Sequence, residues 1–256
     1  MADGTPELTI ITINRNDCAG LERTLRSVME ERSLEPGELE YIVIDGASTD
    51  GSVQLVEEYA SRKGFRHGIS YWVSEPDGGI YAAMNKGLAR ATGKLVGIIN
   101  SGDTLLPYAL AGLSDIHRDH PGAVLYGAFS VMKEGVFDWV QGFTASELPN
   151  KMIPHNASFV PLDLYRKYGP YSEYFKICAD YDLFLKMYVD GVPFVWLNRI
   201  VCDYALGGLS DRAEQLRLSE SEAIRRKYGC YVEPSRMQKA KRAVRRLLKK
   251  IFFFLF

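Results

Sequence analysis

Cysteine is scarce: four occur in 256 residues, Cys18, Cys178, Cys202 and Cys230, and no two form a C-x-x-C pair. That spacing argues against a paired-cysteine zinc site and a small-domain disulfide framework, leaving reduced thiols in a cytosolic compartment as the expectation. Long apolar runs are also lacking: none approaches the roughly 20 residues needed to cross a bilayer, and the closing IFFFLF is too short to span. The opening MADGTPEL has neither the basic start nor the apolar core of a signal peptide. Three chemical signatures are absent as well. The first strand-like run leads into NRNDCAG rather than G-x-G-x-x-G, there is no G-x-x-x-x-G-K-[ST], and there is no G-x-S-x-G elbow. A dinucleotide dehydrogenase, a P-loop NTPase and a serine hydrolase of the elbow type are thereby disfavoured.

Composition is globular, with 46% hydrophobic and 25% charged residues, so a disordered or fibrous chain is excluded. The net charge of -1 hides an asymmetry. From Arg236 onward there are eight bases (Arg236, Lys239, Lys241, Arg242, Arg245, Arg246, Lys249, Lys250) and no acid, which leaves 31 - 8 = 23 bases against 32 acids in the body.

Residues 8–99 alternate strand-like and helix-like patterns. LTIITI (8–13), YIVI (41–44), ISYWV (69–73) and LVGII (95–99) are short apolar runs. Between them, Leu21, Leu25, Val28 and Met29, then Val53, Val56, Tyr59 and Ala60, then Ile80, Met84, Leu88 and Ala91 fall at helical spacing. Such runs separated by amphipathic helices predict an α/β, Rossmann-like, mostly parallel sheet covered on both faces. Ser48, Thr49 and Asp50 are candidate caps for the second helix. Beyond residue 123 the rhythm changes: 124–132 and 136–143 read as an antiparallel pair, 162–168 and the stretch following Ala179 as helices, 192–206 as strand and 211–228 as a charged helix. No low-complexity linker separates the halves, so the expectation is one domain built from residues 1–122 and 123–233, with 234–256 as a tail.

Ligands of open α/β sheets bind beyond the carboxyl ends of the strands. Here those ends are Asn14-Arg15-Asn16, Asp45-Gly46, Ser74-Glu75-Pro76-Asp77-Gly78-Gly79 and Asn100-Ser101-Gly102-Asp103. All are polar or acidic, so a polar site is expected at that edge. Mg2+ and Mn2+ take carboxylate oxygens together with substrate phosphates, which makes Asp103 the candidate ligand; its alternative is a cap for a helix starting near Pro107. Asp45 can accept from a ribose or a base N–H, or simply turn the chain. Lacking a phosphate cradle, the chain would neutralise phosphate with a metal and a base such as Arg15 or Lys86.

Taken in order, TIITINRN, YIVIDGASTDGS, SEPDGGIYAAMNKGLARATG, GIINSGD, PHNASFV, ICADYDLFLKMY and ALGGLS resemble glycosyltransferase family 2, inverting enzymes of GT-A fold, particularly those of bacterial surface-polysaccharide assembly. The similarity runs from about Leu8 to Ser210. It implies a nucleotide-sugar donor held by Thr12, Asn14, Arg15, Asp45, Asp77, Gly78, Gly79, Tyr81, Asn85, Lys86, Asn100 and Ser101. It also implies a divalent cation, Mn2+ or Mg2+, on Asp103, the one carboxylate remaining where the family has D-x-D. The family's catalytic base matches Asp180, and chemistry agrees, since inverting transfer needs one carboxylate to take the acceptor proton. His155, Asn156 and Asp182 fall on the acceptor side. His155 reads as a structural hydrogen-bonder or as a contact to diphosphate or acceptor; Asp182 reads as a second acid in a helix first turn. His117 and His120 read as surface residues at a helix end, and Trp139 as core or a stacking surface for sugar. A non-catalytic nucleotide-sugar or carbohydrate-binding relative is the alternative, motivated by the reduced D-x-D.

In the tail, Met237, Ala240, Val244, Leu247, Leu248 and Ile251 share one helical face and the bases occupy much of the rest. A C-terminal amphipathic helix lying in an anionic membrane interface is expected, with nucleic acid excluded as a partner by the apolar face and the acidic body. That places the enzyme on the cytoplasmic face of the cell membrane, with a lipid-linked or saccharide acceptor.

Overall fold

The computed structural model describes residues 4–133, 136–208, 213–233 and 237. The expected C-terminal amphipathic helix lies outside the described residues.

Four strands form the centre: β1 (Leu8–Asn14), β2 (Leu39–Asp45), β3 (Tyr71–Ser74) and β4 (Leu95–Ile98). All pair in parallel in the order β3-β2-β1-β4. β1 and β4 are buried along their whole length, and β3, at the edge, is half-buried throughout. Alternation sends Ile11, Ile13, Ile42 and Ile44 into one core cluster and Leu8, Ile10, Tyr41 and Val43 into the other. The first cluster is closed by α3 (Ile80–Leu88), α5 (Leu162–Tyr168) and α6 (Ala179–Val189), the second by α1 (Cys18–Met29), α2 (Ser52–Ser61) and α4 (Leu113–Asp119). Burying one Ile or Leu contributes about 1.5–3 kcal/mol, so a continuous apolar strand stays in the sheet only while both faces are covered. Gly87 lets α3 come close to β1: a Cβ there would lie 2.5 Å from Ile11.

The later strands join the same sheet. β8 (Ser158–Pro161) pairs antiparallel with β4, β6 (Val124–Lys133) antiparallel with β8, and β9 (Phe194–Tyr204) parallel with β6. β5 (Thr104–Leu105) and β7 (Val136–Gln141) complete a nine-stranded sheet among the described residues. Register places Gly97 beside Phe159, and Phe159 beside Leu125, so β6 continues well past the end of β4. Its distal half, β7 and the end of β9 form a wall above the strand-end edge, with Phe137, Trp139 and Val140 exposed on it.

Two local expectations are corrected. No helix begins near Pro107. The chain after Asp103 is bound to β9 through β5 and the Leu106 N–H to Val201, Tyr108 takes a positive φ of 61°, and α4 starts only after Gly112. The second helix is capped at Gly51 rather than by a side chain; Asp50 instead accepts from Ser52 N and Cys18 N, tying the starts of α2 and α1 together. The stretch 192–206 carries strand as expected: β9 takes up Phe194–Tyr204 of it and is shifted in register near Asn198, which has φ of 52°. The four cysteines are free, as expected.

Candidate active site

Asp45 ends β2 and is 1% exposed. Its carboxylate accepts from Asn14 Nδ2 (2.8 Å), Ser48 N (2.8 Å), Ser48 Oγ (2.6 Å) and Ser74 Oγ (2.6 Å). Burial pushes its pKa up, but these donors favour the ionised form more strongly and hold the carboxyl below its usual value. Three adjacent parallel strand ends are thus tied to one anion. Asn14 Oδ1 is buried with no hydrogen-bond partner, whereas its Nδ2 also reaches Ser48 Oγ at 3.2 Å. Thr12 lies deeper, fully buried, with Oγ1 3.0 Å from the Tyr41 hydroxyl. Arg15 is exposed at the mouth, and its side chain passes over Gly46.

The turn after β4 is held from the other side of the sheet. Thr24 of α1 donates to Asp103 O (2.6 Å) and accepts from Gly102 N (3.0 Å). Gly102 has φ of 95°, and a Cβ there would approach Ala205 at 3.0 Å, so the turn requires glycine. Asp103 is 3% exposed; its Oδ2 accepts from Asn156 Nδ2 (3.1 Å) and its Oδ1 from Ala205 N (2.8 Å). Ser101 N donates to Ile13 O, fastening the turn to β1.

A row of side chains leads from this turn into the second half. Asn100 Nδ2 lies 3.3 Å from His155 Nε2, and His155 Nδ1 lies 3.1 Å from Asp180 Oδ2. Asp180 Oδ1 accepts from Tyr181 N (2.9 Å) and lies 3.0 Å from the Tyr81 hydroxyl, whose proton is shared with Ile177 O at 2.6 Å. Burial disfavours the charged imidazole of His155, but Asp180 beside it and Asp103 further away outweigh that and raise its pKa. Tyr81 is pushed well above the usual phenol value by burial and by Asp180, so it is a neutral donor here. Asp180 sits in the first turn of α6, where the helix dipole favours a carboxylate.

The loop before α3 completes the edge. Asp77 Oδ1 accepts from Gly79 N (3.0 Å), Gly79 has φ of 126°, and a Cβ on Gly46 would meet Asp77 at 2.9 Å, so the loops after β2 and β3 touch. Gly78 lies beside Ala82 and Glu173. Lys86 donates to Pro76 O and pairs with Glu75 at 2.9 Å. Both ends of the Asn85 amide are engaged by the Tyr171 backbone at 2.9 Å. Asp182 is paired with Lys227 of α7 (Glu214–Lys227) at 2.8 and 3.0 Å. The structure therefore joins Asn100, His155, Asp180 and Tyr81 in one row, pairs Asp103 with Asn156 and groups Asn14 with Asp45 at neighbouring strand ends, while Thr12, Asn85 and Asp182 have protein partners of their own.

A surface cavity of about 630 Å3 lies elsewhere, lined by Glu30, Arg32, Arg62, Lys63 and Arg66 at loops leading into β2 and β3, away from these carboxylates. Thr24 and the Ala205 amide are not singled out by the sequence, which presents Ser48 as a cap and Ser74 at a strand end, not as partners of Asp45. Only Ser48 carried a local signal, an Asp with a Ser three residues on, which forms a side-chain turn; the others reach the site through the fold.

As to hard-cation binding, Asp103 supplies a carboxylate, and Asn100 Oδ1 in the same turn is buried with no hydrogen-bond partner. No group of three or more His, Cys, Asp or Glu suited to a metal occurs among the described residues. One carboxylate with one amide oxygen suits an ion that draws its remaining ligands from water and substrate phosphates.

Comparison with known proteins agrees with this geometry. Residues 9–174 match the model of Glycosyl transferase family 2. An uncharacterized glycosyltransferase of Mycobacterium tuberculosis is 34% identical over 82% of this chain and 79% of its own. A glycosyltransferase of PGL/p-HBAD biosynthesis from Mycobacterium bovis is 28% identical over 80% of each chain. Among solved structures, Staphylococcus aureus TarS 1-349 in complex with UDP-GlcNAc superposes with a TM-score of 0.70 at 16% identity, covering 91% of this chain and 69% of that one. The mannosyltransferase PcManGT of Pyrobaculum calidifontis, in complex with GDP-Man and Mn2+, gives 0.64 at 20% identity, covering 90% and 66%. At these identities the superpositions establish the fold, GT-A, and the sequence matches establish the family. With its strand-end acids, its fold and its sequence in agreement, the chain is a glycosyltransferase and belongs to glycosyltransferase family 2.

Proposed function

We propose that this glycosyltransferase transfers with inversion from a nucleotide sugar bound at the carboxyl ends of β1–β4, using Asp180 as general base. The observation that carries this reading is the row Asn100–His155–Asp180–Tyr81, which puts a buried carboxylate next to the Asp103 turn. Residues 1–122 form the donor half, and 123–233 the acceptor half, of one domain.

In this reading Asp180 takes the proton of the acceptor hydroxyl while that oxygen attacks the anomeric carbon. The bond from that carbon to the diphosphate oxygen breaks, and the nucleoside diphosphate departs with the electron pair. Tyr81 and His155 hold the carboxylate in place. Asp103 and Asn100 would hold a divalent cation, Mn2+ or Mg2+, which when bound stabilises negative charge on the leaving diphosphate. Arg15 and Lys86 add positive charge at the mouth, and Ser101 with Asp77, Gly78 and Gly79 lines the donor. Asp45 binds the nucleoside, whose hydroxyl or N–H replaces a serine hydroxyl on a carboxylate that already accepts from four protein donors. Thr12 and Asn85 support these residues from behind; Asn156 orients Asp103, and Asp182 steadies α6.

The acceptor is a saccharide, lipid-linked, and the product is cell-surface polysaccharide or glycolipid. A relative named for PGL/p-HBAD biosynthesis supports glycoconjugate synthesis. The basic tail, 234–256, holds the enzyme to the cytoplasmic face of an anionic membrane. No helix among the described residues is long and apolar enough to cross one. Family membership favours catalysis over the non-catalytic alternative.

Thermal stabilisation by UDP- and GDP-sugars, each with Mn2+ and with EDTA, tests the donor reading, and NMR of the product's anomeric proton tests inversion. Metal-dependent stabilisation by one nucleotide sugar and an inverted linkage are expected; retention of configuration, or stabilisation unchanged by EDTA, overturns the respective part.

A further inference from the structure

α7 lies beyond the segment matched by the family model, and most of its surface is polar; among its residues only Ile224 is buried. A helix of this kind gains little from apolar burial and is registered by its polar contacts. Those contacts converge on one place, the entry to α6. Glu220 Oε1 accepts from Lys176 N (2.8 Å), and Oε2 accepts from Ile177 N (2.9 Å) and Cys178 N (3.0 Å). Cys178 is the N-cap of α6 and supplies no side-chain cap of its own; Glu220, from another helix, satisfies the Cys178 amide and the two before it, while the Tyr181 amide of the first turn is served by Asp180. One turn further along the same face Ile224 is fully buried, and at the next turn Lys227 binds both oxygens of Asp182. The peptide chain at Ile177 is thus held twice, by Glu220 at its amide and by the Tyr81 hydroxyl at its carbonyl. Asp180 follows two residues after the cap.

We infer that Glu220 is a positioning residue for the transfer reaction: by binding three consecutive amides ahead of α6 it fixes the first turn of that helix and so aims the Asp180 carboxylate. The inference rests on the reading of Asp180 as base. Glu220 touches neither donor nor acceptor in this account and acts only through Asp180. Charge and hydrogen bonding work together, since a carboxylate facing free amides at a helix start is favoured by the dipole, and charge-assisted bonds are stronger than neutral ones. Glutamine at 220 keeps one acceptor oxygen and half of the grip, whereas alanine keeps none.

The test uses the full-length chain, Mn2+ and whichever UDP- or GDP-sugar the wild type turns over fastest, following nucleoside diphosphate release. Four proteins are compared with wild type: Glu220→Ala, Glu220→Gln, Asp180→Asn and the double variant Glu220→Ala/Asp180→Asn, the last two at high enzyme concentration. Glu220→Ala is expected to lower kcat by about 10- to 100-fold, the scale of a misplacement of roughly 1 Å at a reacting group, with KM for the donor within about twofold of wild type. Glu220→Gln should fall between. In the Asp180→Asn background, Glu220→Ala should change the residual rate less than about twofold, because the group it positions is already disabled. Wild-type kcat in Glu220→Ala overturns the inference, and so does a rate loss of equal size in both backgrounds or a parallel rise in KM, which mark general loosening. Turnover in Asp180→Asn near the wild-type rate overturns the base assignment itself and is thereby distinguished from failure of the positioning role.

Discussion

The two sides of the site are built differently. On the donor side Asp45 is served by its own strand end and those beside it, drawing its donors from Asn14, Ser48 and Ser74, on or just beyond three adjacent parallel strands, although Asp103 already takes its donors from Asn156 and the Ala205 amide of the second half. On the acceptor side Asp180 has no such local frame. Apart from the adjacent Tyr181 amide its partners are Tyr81, 99 positions away, and His155 of a separate short helix, and the residues leading into its turn are held by Glu220 of α7. A parallel sheet assembles a polar edge by pairing alone, whereas the base must be brought to that edge by contacts that form only when the whole chain has folded.

That contrast can be broken experimentally. The largest effect is expected at the base: Asp180→Asn should lower turnover by about 10²- to 10⁴-fold, the usual contribution of a positioned general base. Next, Asp103→Ala should cost about 10²-fold or more and remove the response to Mn2+, measured as activity across a metal titration, since Lewis-acid stabilisation contributes several kcal/mol. Thr24→Val, which removes the buried hydroxyl that bonds the Gly102 amide and the Asp103 carbonyl, should lower folding stability by about 1–3 kcal/mol in urea unfolding and weaken donor binding along with it. Lys227→Met comes last: the lysine is half-exposed, but its loss leaves the buried Asp182 carboxylate without its cation, so the loss of stability, read as a fall in Tm, should exceed that of an exposed pair, about 0.2–1 kcal/mol.

Acid sharpens the same comparison. Asp45 titrates below its usual value, so the stabilisation from its ionised form is fully present above the unfolded carboxylate pKa of about 3.9 and is lost as pH falls through the lower folded value. The stability advantage of wild type over Asp45→Asn should be constant near neutral pH and shrink below about pH 4. His155 titrates above its usual value, which gives the opposite sign: its stabilisation is present below about pH 6.5 and is lost as pH rises through the folded value.

Legibility in the sequence follows the same division. β1, β2 and β4 were readable because buried parallel strands are continuous apolar runs, and the residues after them follow directly. The motif around Asp180 was readable only by resemblance; its wiring to Tyr81 and His155 was not, because pairings across such separations leave no periodicity. The helix expected near Pro107 failed for a related reason, since β5 draws that stretch onto β9, a strand formed nearly a hundred residues later. α7 read as a charged helix and nothing more, because a carboxylate that caps another helix looks the same in sequence as one facing water.

The central claim about this site is that the carboxylate of Asp180 performs chemistry rather than merely completing the site. The most direct measurement takes one preparation of Asp180→Asn and records both its thermal stabilisation by the preferred nucleotide sugar with Mn2+ and its rate of product formation. Stabilisation equal to wild type with product formation lowered by at least about 10²-fold is the predicted result. Product formation at the wild-type rate, or loss of donor stabilisation together with activity, would contradict it.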